Sequence, residues 1–104
     1  MIYSINEIQA KVQTVAEQYN YDIEEIRLFG SYFNGNPTEQ SDVDLAVKYG
    51  RDCNGLNRIA FMNDIEKELG KVVDVINVYF PPDFMLSLEY LNPQQWYQVL
   101  YRKD

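Results

Sequence analysis

Leu28-Phe29-Gly30-Ser31-Tyr32-Phe33-Asn34-Gly35, followed a few residues later by Ser41-Asp42-Val43-Asp44-Leu45, is the stretch from which the rest of the chain can be read. Ile26, Leu28 and Phe29 form a short apolar run ending at Gly30, as a strand does where a tight turn begins. Asn34-Gly35-Asn36-Pro37 is turn chemistry and cannot prolong a strand. Val43, Leu45 and Val47 then alternate with Asp42, Asp44, Ala46 and Lys48, which predicts a strand that buries the first set and presents the second on its other face. The two acids therefore point the same way, about 7 Å apart at ~3.3 Å of rise per residue. So short a connection between strands favours antiparallel pairing.

Working outward, Ile5, Ile8, Val12, Val15 and Tyr19 recur at steps of three and four, the mark of an amphipathic helix, with Ser4 and Glu7 as its capping box. Downstream, Leu56, Ile59, Met62, Ile65 and Leu69 predict a second helix, capped by Asp52 or Asn54 and stopped at Gly70. Val72 to Val78 is β-branched and carries Asp74 among Val73, Val75 and Ile76, which suits a strand in the middle of a sheet. Beyond Pro81-Pro82, a short helix is expected over Phe84 to Leu91, then a helix or a short strand over Trp96 to Tyr101. The order is helix, strand, turn, strand, helix, strand, tail: an α/β fold with a small mixed sheet packed against helices.

The 104 residues suit one domain, residues 1–104, with 81–104 as a tail available for partner docking. A net charge of -7 argues against direct nucleic-acid binding. With one cysteine, Cys53, and no histidine, neither an internal disulfide nor a zinc site can form, and Cys53 reads as an inert thiol. Any general base must be a carboxylate, a tyrosine, a lysine or metal-bound water. No segment has the length of about 20 apolar residues that spans a bilayer, and Met1 to Leu28 does not read as a signal peptide, so the expectation is a cytoplasmic protein without a membrane role.

Gly30 allows a sharp turn and a close backbone approach, so that N–H groups around Ser31 and its hydroxyl can donate to phosphate oxygens. Asp42 and Asp44 offer the hard oxygen ligands that Mg²⁺ accepts beside phosphate and water. Asp74 on a neighbouring strand would complete a three-carboxylate cluster and deprotonate an acceptor hydroxyl. The plainer alternative is that Ser41 and Asp42 end a turn, Asp44 faces water and Asp74 pairs with Lys71 or Arg27. Three acids on central strands facing one cleft would repel one another without a cation, which favours the metal reading.

The quoted motif resembles the signature of the DNA polymerase β-like nucleotidyltransferase superfamily, and in particular its stand-alone minimal nucleotidyltransferases. The resemblance runs from the first helix to the third strand and into Leu100-Tyr101-Arg102. It implies the polymerase β-like palm fold, Mg²⁺ held by Asp42 and Asp44, a third acid at Asp74 and phosphate contacts from Gly30 and Ser31. Ser41, immediately before the acids, is grouped with these nucleotide contacts. One departure stands out: many members carry a small residue and then Arg before the second glycine of the turn, where this chain has Phe33 and Asn34. Losing that charge would weaken phosphate binding or change the partner.

Minimal nucleotidyltransferases of this size are often antitoxins of HEPN/MNT modules (MntA-type), which silence a HEPN ribonuclease toxin by transferring AMP from ATP to a tyrosine. The resemblance thus implies a protein adenylyltransferase with a HEPN-type partner. The aromatics from Phe84 to Tyr101 would either dock that partner or close the core. Two rivals stay open: an antitoxin acting by occlusion without turnover, and an enzyme that modifies a small hydroxylated molecule.

Overall fold

The computed structural model describes residues 1–81, 83 and 96–104. Helix α1 (Ile5–Gln18) begins at the Ser4/Glu7 capping box, in which each residue's side chain accepts from the other's backbone N–H, at 3.1 and 2.9 Å. Strand β1 (Ile23–Phe29) follows, then a single helical turn, α2 (Gly30–Asn34), closed by Gly35 in the left-handed conformation. Strand β2 (Val43–Tyr49), helix α3 (Gly55–Leu69), strand β3 (Val73–Asn77) and strand β4 (Gln98–Arg102) complete the described elements. Of the two forms open for the segment around Trp96 to Tyr101, the strand is the one found. The short helix expected over Phe84 to Leu91 lies outside the described residues.

The sheet runs β3-β2-β1-β4, with β1 antiparallel to both β2 and β4, and β2 parallel to β3 across the α3 crossover. It is the mixed sheet expected, with the short α2 connection giving the antiparallel β1–β2 pair. Two expectations need correction. Among the described residues β3 is an edge strand, not a central one: its β-branched run serves the ladder with β2 and the contact with α3, and Asp74 is exposed. Gly30 also opens a helical turn and not a bare tight turn.

α1 and α3 cover one sheet face, where Ile8, Val12, Val15, Ile26, Leu28, Val43, Leu45, Val47, Phe61, Ile65 and Leu69 are buried in one cluster. The α3 stripe is rotated from its expected line. Leu56 and Ile59 are 78% and 60% exposed, while Phe61 is fully buried. Arg58, one turn before Phe61, stays exposed, with its guanidinium 4.6 Å from the centre of the Tyr49 ring. Tyr19, placed on the α1 stripe by periodicity, is instead the exposed residue after the helix. Cys53 is buried, and burial pushes its thiol pKa up, as suits an inert thiol.

Glu25 is the one buried charged residue described, at 7% exposure. Arg27 and Arg102 both donate to its carboxylate, the latter at 2.7 Å. Burial pushes its pKa up, but the two guanidinium bonds outweigh that and hold it below the ordinary value. This triad ties β4 to β1 on the sheet face away from the helices. Among the described residues, no helix is long and apolar enough to cross a membrane.

Candidate active site

The site begins where β1 ends. Phe29 pairs in register with Asp44 on β2, and Asp44 pairs with Asp74 on β3, so the three residues form a row across the sheet. The Asp44 and Asp74 carboxyls lie within hydrogen-bonding reach of each other, and Asp42 stands two residues before Asp44 in the chain. Burial first, then the charges of Asp74 and Asp42, push the Asp44 pKa up to about 6 from 3.8.

Gly30 packs against this acid. Its φ is +74°, and an added Cβ would sit 2.0 Å from Asp44 Oδ2 and 2.9 Å from its Cγ. The glycine is therefore required twice, by its left-handed backbone and by the carboxylate filling the space a side chain would take. The Ser31 carbonyl accepts from Gly35 and Asn36 N–H at 3.0 and 3.2 Å, which winds the turn onto itself. Ser31 itself is partly exposed.

Ser41 has turn work of its own. Its hydroxyl accepts from the Thr38 N–H at 2.8 Å, and its N–H donates to the Thr38 carbonyl at 3.1 Å. A cleft of about 440 Å³ opens beside Ser41 and Asp42, walled by Tyr3, Leu69 and Lys71 among others. Neither Asp44 nor Asp74 lines it.

The cations weighed as structural partners for Asp74 are engaged elsewhere. Arg27 is bonded to Glu25, and Lys71 donates to the carbonyls of Glu39 at 3.0 Å and Ser41 at 3.4 Å. Among the described residues, no three acidic side chains close into a cage; Asp44 and Asp74 are the joined pair. Two adjoining carboxylates with a third nearby, all hard oxygen donors and none neutralised by Lys or Arg among the described residues, fit a divalent cation such as Mg²⁺.

Lys71 is the residue sequence reading passed over, having been weighed only as a salt bridge for Asp74. It sits in the turn between α3 and β3, with its ammonium 5.9 Å from the centre of the buried Tyr32 ring in α2. Beside it, the Val43 N–H donates to the Val72 carbonyl at 3.1 Å. Lys71 thus joins the Asp42 turn, the Gly30 turn and the strand of Asp74. The available signal was a lone cation between a helix-stopping glycine and an acid-bearing strand. Lys71→Met is expected to weaken Mg²⁺ binding at the acids about 10-fold, at a stability cost of about 1 kcal/mol for the lost bonds. Lys71→Arg should restore most of both. A Lys71→Met protein with an unaltered Mg²⁺ midpoint would reduce the residue to a general structural role.

A family model described as "Polymerase beta, Nucleotidyltransferase" matches residues 10–92, most of the chain. The chain belongs to this nucleotidyltransferase family. Among relatives of this nucleotidyltransferase, a Methanocaldococcus jannaschii protein named "Putative protein adenylyltransferase MJ0435" is 32% identical over 73 residues, covering 70% of this chain and 76% of the relative. A second protein of that organism, likewise named a "Putative protein adenylyltransferase", is 34% identical over 74 residues, 69% of this chain and 73% of its own.

Solved structures agree on the fold. A toxin–antitoxin crystal structure with AMP-PNP superposes with a TM-score of 0.68 at 19% identity, covering 92% of this chain and 74% of that chain. A tri-AMPylated Shewanella oneidensis HEPN toxin in complex with its MNT antitoxin gives 0.62 at 17% identity, covering 94% and 72%. A structure described as that of a "putative minimal nucleotidyltransferase" gives 0.68 at 22% identity, covering 82% and 88%. The expected minimal nucleotidyltransferase fold is thereby established.

Proposed function

We propose that this nucleotidyltransferase transfers AMP from ATP, with Mg²⁺, to a tyrosine hydroxyl of a HEPN-type toxin, and so acts as the antitoxin of a cytoplasmic two-protein module. The observation that carries the chemistry is the Asp44–Asp74 pair set across β2 and β3 against Gly30. The relatives named as protein adenylyltransferases support the reaction class, and the solved toxin–antitoxin complexes of the same fold support the partner class. A net charge of -7 suits docking to a basic, RNA-cleaving protein.

Asp42 and Asp44 would hold the cation, with Asp74 as the third ligand. When bound, Mg²⁺ neutralises charge building up on the reacting phosphate and its leaving group. Gly30 and Ser31 orient the triphosphate by donating N–H and O–H hydrogen bonds to its oxygens, and Ser41 fixes the turn that delivers Asp42 to it. Asp74, on the exposed edge, takes the proton of the acceptor hydroxyl. The acceptor oxygen then bonds to the α-phosphorus, the bond from that phosphorus to the bridging oxygen breaks, and pyrophosphate leaves.

Incubation with radiolabelled ATP, Mg²⁺ and the co-purifying partner, beside the Asp42→Ala/Asp44→Ala double variant, tests the reading. Label on a partner tyrosine that disappears in the variant is the expected result. A tight complex that stays unlabelled, and a double variant that still neutralises the partner in cells, would replace catalysis by occlusion. Label on a small molecule with every protein unlabelled would replace the acceptor.

A further inference from the structure

The sheet face away from the helices carries the acids at one end and a group of aromatic rings next to them. Residues paired in register project to the same side, so Phe29 shares this face with Asp44. The Trp96 ring meets the Phe29 ring edge-on at 6.3 Å, and the Tyr97 ring lies 4.3 Å from that of Trp96. Arg27, fixed by Glu25, places its guanidinium 4.4 Å from the centre of the Tyr97 ring. Rings that close the core are sealed: Phe61, Tyr21 and Tyr32 are 0–2% exposed. Phe29, Trp96 and Tyr97 are only partly buried.

Strand order sorts the two substrates. The Gly30-Ser31 turn continues β1, on the β4 side of Asp44, whereas Asp74 lies on the opposite, β3 side. If the turn takes the triphosphate and Asp74 the acceptor proton, the nucleoside extends from its phosphate toward β1 and β4, where the rings are. We propose, resting on the nucleotide-transfer reading, that Trp96 with Phe29 forms the platform on which the purine base of the nucleoside triphosphate stacks, and that Arg27 and Tyr97 hold that platform in place. Stacking on a ring face tolerates any base and needs no side-chain hydrogen bond. It would also offset the missing arginine at Phe33 and Asn34 by moving binding energy from the phosphates to the base.

Trp96 is the single tryptophan of the chain, so its emission reports on this spot alone. The full-length protein is titrated with Mg²⁺·ATP and, separately, with Mg²⁺·tripolyphosphate, following both tryptophan emission and heat of binding. ATP is expected to change the emission with the same midpoint as the heat, and tripolyphosphate to bind without changing it. Trp96→Ala should bind ATP about 10-fold more weakly, equivalent to about 1.4 kcal/mol, with tripolyphosphate binding as before, and Trp96→Phe should recover most of the loss. ATP that binds by calorimetry with tryptophan emission unmoved overturns the platform and leaves the transfer reading standing. Absence of heat with both ligands overturns the two together.

Discussion

Asp44→Asn is expected to reduce AMP transfer at least ~10³-fold, equal to about 4 kcal/mol of barrier, and to make the metal-free protein more heat-stable. The loss of activity follows from removing an anionic ligand at the centre of the acid row. The stability gain follows from the cause of the raised pKa: burial and the neighbouring Asp74 and Asp42 make the ionised Asp44 unfavourable in the fold. Between 3.8 and about 6, the folded state holds more protons than the unfolded chain, so stability falls as pH rises through that window, and the full penalty is present above it. The amide removes the penalty. In chelator at pH 8 the variant should melt roughly 4–8 °C higher, the shift that about 1 kcal/mol produces in a small domain. Near pH 4 the two proteins should melt together. Wild-type protein should gain more from Mg²⁺ at pH 8 than at pH 5, because the cation competes with the proton. A variant that melts no higher than wild type at pH 8 in chelator would show that Asp44 is not under the electrostatic load described.

The second large effect is expected at Gly30. An alanine there combines a left-handed backbone with a Cβ 2.0 Å from Asp44 Oδ2 and 3.1 Å from Asp44 Cβ. The carboxyl tip can swing away, but its stem is fixed to β2, so both strain and displacement follow. Gly30→Ala should cost about 1–3 kcal/mol of stability and lower transfer about 10²-fold through misplacement of Asp44. Gly35→Ala separates the two contributions: Gly35 has φ +85°, but nothing lies within 4 Å of an added Cβ. It should lose comparable stability while keeping most of its transfer rate. Melting curves beside initial rates for the two variants decide the matter, and equal losses of rate would mean that backbone strain, not the Asp44 contact, sets the requirement at Gly30.

Much of this architecture could be read from short-range patterns. The capping box at Ser4, the stop at Gly70, the antiparallel β1–β2 pair and the alternation around Asp44 depend on neighbours a few residues apart. What escaped depends on distant partners. The first strand was read from Ile26 only, and its start at Ile23 was not, because the arginines that neutralise Glu25 come from β1 itself and from β4. Leu56 and Ile59 fitted the helical period, yet the buried face of α3 begins only at Phe61, because the first turn of the helix extends past the sheet it packs on, which periodicity does not encode. Asp74 was recognised as an acid needing a reason, but β-branched residues suit edge and central strands alike, so its place at the edge was not visible. Lys71 was seen as a charge and not as a donor to carbonyls on either side of Gln40.

The pairing of β1 with β4 has a consequence for how the domain comes to be folded. Glu25 and Arg102 lie 77 positions apart, and β1 is enclosed only when that distant segment has arrived. Contacts of such range form slowly, because loop-closure entropy is lost before they return any energy. The Gly30 turn hangs from the end of this same strand, so the support of the reactive centre is complete only once β4 has paired. A substitution in β4 that weakens this pairing is expected to lower the yield of folded protein with every chemical group of the site intact. Reduced activity in a cell is for that reason a poor guide to which residues handle the nucleotide, and rates measured on folded material are the better one.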